Sequence, residues 1–67
     1  MDMPMIEVEV WACDMALYTA FDGFVPTDAW VYYGTWTYQS CSITKPTDAI
    51  AEVLRASGKM IRYVHTK

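Results

Sequence analysis

The first 44 residues of this 67-residue chain contain no lysine and no arginine. Binding to nucleic-acid phosphates depends on those two side chains, which argues against this stretch as a nucleic-acid groove. Histidine is nearly absent too: His65 stands alone near the end of the chain, and there is no glycine-rich phosphate loop. Cys13-Asp14 has no histidine beside it in sequence to activate the thiol. Two cysteines 28 positions apart and a single histidine lack the spacing of a tetrahedral zinc site. No catalytic residue, metal ligand or cofactor is therefore expected, and the chain reads as a non-enzyme. Cysteine is also too scarce for a disulfide scaffold. Cys13 and Cys41 are either small thiols in a reducing compartment or a pair bridging neighbouring strands. No apolar run approaches the roughly 18 residues of a membrane span. Met1-Asp2-Met3-Pro4 has neither the basic stretch nor the apolar region of a signal peptide. A cytoplasmic protein with no membrane contact is expected.

What is present is apolar and aromatic. The chain is 54% hydrophobic and 15% aromatic, with three tryptophans and five tyrosines, a composition far from that of disordered segments. Its length allows one domain, residues 1–67, with a thin stability margin. Charge is divided along the chain. Asp2, Glu7, Glu9, Asp14, Asp22 and Asp28 precede residue 44, giving −6; Lys45, Arg55, Lys59, Arg62 and Lys67 follow it with only Asp48 and Glu52, giving +3. Either the two parts neutralise each other within the fold, or the acidic part selects a basic partner.

From Met5 to Ala12, Ile6, Val8, Val10 and Ala12 alternate with Glu7, Glu9 and Trp11, the period of a strand with one buried face. Glu7 and Glu9 then share the other face, about 7 Å apart. Residues 13–25 allow two readings. Asp14 caps a short helix from Met15 to Asp22 stopped by Gly23, with Leu17, Tyr18 and Phe21 on one face, or Asp22-Gly23 forms a hairpin turn. Pro26-Thr27-Asp28 signals a turn before a long strand, Ala29 to Ile43, which Gly34 bulges or divides. Thr44 to Gly58 predicts a helix at about 46–57, capped by Thr44 or Thr47, with Ile50, Val53 and Leu54 as its inward stripe. A last strand runs from Lys59 to His65. The expected fold is α+β: a small antiparallel sheet of about three strands with one main helix on one face and a possible short helix in 14–22.

One helix covers one face of such a sheet. Trp30, Tyr32, Trp36 and Tyr38 recur at period two and, beside Glu7 and Glu9, would make an acidic face rich in interface-type aromatics. Alternatively the stripe is core, covered by Leu17, Phe21 and Phe24. The remaining class is a binder of a basic protein surface; a small nucleic-acid module using the sheet aromatics is the alternative from another class. Compact scaling gives a diameter of roughly 28 Å, over which duplex DNA carries about 16 charges. Six carboxylates cannot copy that density, so any imitation of DNA is local.

Short length, the acidic stretch Glu7-Val8-Glu9 to Asp28, the dense aromatics Trp30 to Tyr38 and the lack of catalytic motifs resemble the small phage-encoded anti-CRISPR proteins of type I systems. The unit Pro46-Thr47-Asp48-Ala49-Ile50 through Tyr63-Val64 is also similar in layout to a small phage inhibitor of host RNA polymerase. The basic last third departs from fully acidic inhibitors. The resemblance implies a monomer in the bacterial host cytoplasm that binds a basic, DNA-binding subunit of a CRISPR surveillance complex, type I-C among the candidates. It would block target DNA without touching nucleic acid itself. Partner contacts are then expected from Glu7, Glu9, Asp14, Asp22 and Asp28, around a packed centre of Trp11, Trp30, Trp36 and Tyr38.

Overall fold

The computed structural model describes residues 4–66. Three strands, β1 (Met5–Asp14), β2 (Val31–Gln39) and β3 (Lys59–Thr66), form an antiparallel sheet in the order β2-β1-β3. A short helix α1 (Met15–Ala20) and one turn of 3-10 helix (Thr27–Ala29) lie between β1 and β2, and the main helix α2 (Thr47–Ala56) joins β2 to β3. The expected α+β architecture is the one observed.

The alternation in β1 does what period two requires. Val8, Val10 and Ala12 are at most 2% exposed on one face, while Glu7 is exposed on the other. α2 lies over the first face. Leu54 joins Val10 and Ala12 in the core, with Trp36, Ile50 and Ile61 packed around them. Full burial of a valine or leucine side chain stabilises by about 1.5–3 kcal/mol, so this small cluster supplies much of the fold's hydrophobic gain. The inward stripe of α2 is Thr47, Ile50, Ala51 and Leu54, spaced i, i+3, i+4, i+7. Val53, expected in that stripe, is 61% exposed; Ala51, at 1%, takes the inward place because it stands one turn from both Thr47 and Leu54. Neither Thr44 nor Thr47 caps the helix. Pro46 occupies the cap position and no side chain bonds there.

α1 begins where β1 ends. Asp14 stands at its N-cap position, yet its carboxylate makes no capping bond and instead accepts a hydrogen bond from Lys59 Nζ at 2.6 Å. The helix stops at Ala20, two residues short of the expected Asp22. Asp22 and Gly23 both have positive φ, 52° and 87°, and the Gly23 N–H closes the end on the Tyr18 carbonyl at 2.9 Å. The Met15 N–H donates to the Gly58 carbonyl at 2.9 Å, tying the start of α1 to the turn after α2.

β2 is continuous through Gly34 but bulged there. Val10 faces Gly34 and Trp11 faces Tyr32, so Tyr33 is an extra residue without a partner on β1. The strand starts at Val31 and ends at Gln39, shorter at both ends than the expected Ala29 to Ile43. The molecule is also longer than compact scaling suggested, 47 × 23 × 17 Å, because one helix and three strands make two thin layers. Duplex DNA carries about 28 charges over that length, so the carboxylates fall further short of general mimicry.

Candidate functional site

The bulge decides which aromatics share a face. Directly paired residues in an antiparallel ladder lie on the same side of the sheet. Ile6 pairs with Tyr38 and Val8 with Trp36, so these two aromatics belong to the helix face; past the bulge, Trp11 pairs with Tyr32 on the opposite face. The expected single stripe of Trp30, Tyr32, Trp36 and Tyr38 is thus divided. Trp36 packs against the core, and Tyr38 is half-buried on that side. Phe24 and Phe21 do not cover the stripe: they are 84% and 46% exposed.

The second face is built on the odd positions of β1. Glu7 lies opposite Thr37 of β2, and Glu9 lies between Thr35 of β2 and Val64 of β3. Trp11 lies between Tyr32 and Arg62. The Trp11 Nε1–H donates to Glu9 Oε1 at 2.9 Å, which orients the carboxylate along its own strand. The Trp11 and Tyr32 rings meet at 5.1 Å and 56°, a tilted pair, and the Tyr32 hydroxyl is hydrogen-bonded to the Thr35 hydroxyl. Trp30, brought in by the 3-10 turn, carries the Arg62 guanidinium 5.6 Å from its ring centroid, within cation–π reach. Glu9, Trp11, Thr27, Trp30, Arg62 and Val64 enclose a cleft of about 210 Å³. α2 lies across the other face, and Glu7, Tyr32, Thr35 and Thr37 are exposed here.

Glu7, Glu9, Trp11 and Trp30 are therefore brought to one face. Asp14, Asp22 and Asp28 are exposed, but Asp14 is paired with Lys59, Asp22 sits in the turn after α1, and Asp28 lies in the 3-10 turn. Asp2 falls outside the described residues. Arg62 and Tyr32 also belong to this face, although neither is among the contacts expected from the sequence. The alternation of Met60, Arg62 and Val64 with Ile61, Tyr63 and His65 was the available signal, because it puts Arg62 on the side away from the helix once Ile61 is taken as core.

Cys13 and Cys41 are both free thiols, the first buried and the second exposed. Burial and the neighbouring Asp14 carboxylate push the Cys13 thiol up, with Lys59 partly offsetting them. Among the described residues no three His, Cys, Asp or Glu side chains gather to hold a metal, and no helix is long and apolar enough to cross a membrane. Comparison with protein-family models, with curated proteins and with solved structures finds no match to this chain.

Proposed function

We propose that this protein is an inhibitor that binds a basic nucleic-acid-binding surface of a bacterial protein complex. The observation that carries the reading is the sheet face opposite α2, where Glu7 and Glu9 share a side with Trp11, Tyr32 and Trp30. Carboxylates at a rim steer a basic partner, and tryptophan and tyrosine supply most of the affinity at such contacts. In resemblance to type I anti-CRISPR proteins, the target is a DNA-binding subunit of a type I surveillance complex. Inhibition is local competition with target DNA at a few lysines or arginines. The test is a gel shift of target duplex by purified type I complexes, type I-C among them, with and without the protein. Loss of the shifted band supports the reading, and an unchanged band in every complex contradicts it. Should the target be another host machine, such as RNA polymerase or a DNA-repair enzyme, capture from lysate followed by the same competition assay identifies it.

Arg62 against Trp30 favours a second reading, a single-strand binder that stacks bases on the sheet aromatics. A gel shift of single-stranded DNA by the protein alone at low salt distinguishes it. Retardation would favour this second reading over the first.

A further inference from the structure

A separate feature lies on the helix side of the sheet and is independent of the proposed inhibitory face. Where α2 begins, a cavity of about 240 Å³ opens between the helix and the sheet. Val8 forms part of its wall, and Tyr38, Tyr63 and His65 reach it from the two outer strands. Lys45 and Thr47 come to it from the start of the helix.

Thr47 is the informative residue. It is 3% exposed, the only buried polar side chain among the described residues, and its hydroxyl makes no hydrogen bond to the protein. No side-chain oxygen or nitrogen that is sealed from solvent lacks a partner among the described residues. The Thr47 oxygen must therefore keep an opening, and the space its side chain lines is this cavity. A hydroxyl that reaches solvent through this cavity and has no partner within the chain is available to bond whatever occupies the cavity. The same end of the ten-residue helix carries no side-chain cap. Its amide end presents partial positive charge to the same region, and Lys45 adds a full one.

We propose that this cavity is a binding site for the phosphate group of a small molecule, held by the Lys45 ammonium, the Thr47 hydroxyl and the amide end of α2. Tyr38 and Tyr63 are among its lining residues, and tyrosine supplies an aromatic surface and a phenol group suited to a sugar attached to that phosphate. The volume is below the usual range of roughly 300–1,000 Å³ for drug-sized ligands, which limits the occupant to a sugar phosphate or smaller. Asp48 also lines the cavity, and its carboxylate opposes an anion. It keeps the affinity modest, and its removal has a predictable sign.

The experiment is a titration of the whole protein followed by ¹H–¹⁵N correlation spectra at constant ionic strength, with inorganic phosphate, ribose 5-phosphate and chloride as probes. Saturable shifts at Thr47, Asp48 and His65 are expected with both phosphates and not with chloride. Lys45→Ala and the near-isosteric Thr47→Val should each weaken phosphate binding at least fivefold, while Asp48→Asn should tighten it about threefold or more. Non-saturable shifts, shifts centred on Lys59 or Arg62, equal affinity in the Lys45→Ala and Thr47→Val proteins, or weaker binding after Asp48→Asn would each overturn the assignment. Ribose 5-phosphate should bind at least as tightly as inorganic phosphate, and its exclusion would also overturn it.

Discussion

The Trp36 indole lies across Gly34: a Cβ atom placed on Gly34 would stand 3.0 Å from Trp36 Cη2 and 3.1 Å from Cζ3. Gly34 also has φ of 137°, a backbone region that side chains rarely adopt. The glycine therefore does two things at once. It permits the bulge that sends Tyr32 to one face and Trp36 to the other, and it leaves room for the indole that closes the core on the β2 side. Gly34→Ala should destabilise by about 1–3 kcal/mol, the usual cost of forcing a side chain into such a conformation. Thermal unfolding followed by circular dichroism should show this as a drop of roughly 4–8 °C per kcal/mol. An unchanged midpoint would mean that the bulge is not held at this residue.

The two thiols should differ sharply in reactivity. Cys41 is exposed and Cys13 is 3% exposed, with burial and Asp14 keeping it protonated. A thiol reagent at pH 8 should modify one cysteine per chain within minutes, and mass spectrometry should place the label on Cys41. The second should react only on unfolding, because the thiolate is the reactive species. Rapid labelling of both would contradict the placement of Cys13.

Alkaline pH should weaken the fold. Hydrogen bonding and charge from Asp14 hold the Lys59 ammonium above the ordinary lysine range, so the pair's contribution is full below about pH 10.4 and lost as pH rises through the folded value. Cys13 is likewise raised, so the unfolded chain releases that proton first, from about pH 8.5, and stability falls from there upward. Urea midpoints should decline between pH 8.5 and 11. Cys13→Ala should flatten the earlier part of the decline and Asp14→Asn the later part. A decline that neither variant alters would assign it to other groups.

Much of the architecture is legible in local patterns. Ile6, Val8 and Val10 alternate with Glu7 and Glu9, and that alone separates the buried face of β1 from its open one. Gly34 inside a run of aromatics signals a bulge. What the sequence conceals is parity. One extra residue, Tyr33, reverses every side chain on one side of it relative to β1, so Trp36 and Tyr38 turn to the helix face while Tyr32 joins Trp11. The long-range partner of Asp14 is hidden for the same reason. An aspartate before a helix looks like a cap, and only the pairing of β1 with β3 brings Lys59 within 2.6 Å of it. Arg62 belongs to the open face through that same pairing, 51 positions from Trp11 in sequence.

Glu9 and Trp11 form a pair that can be examined without a partner. Glu9→Ala removes the acceptor at 2.9 Å from Trp11 Nε1, so the Trp11 indole N–H resonance should shift upfield. Stability should fall by no more than about 0.5–1.5 kcal/mol, the usual worth of a hydrogen bond. An unmoved resonance would show that the carboxylate is not held there.

If the face carrying Glu7 and Glu9 engages a basic surface, reversing both charges should weaken that engagement. Binding of the Glu7→Lys/Glu9→Lys protein to a purified type I surveillance complex would be measured beside the unaltered protein, with circular dichroism recorded on both. Matching spectra are expected, with binding weakened at least tenfold, about 1.4 kcal/mol, and the same loss in the DNA competition assay. Undiminished binding and full inhibition by a correctly folded double variant would contradict it.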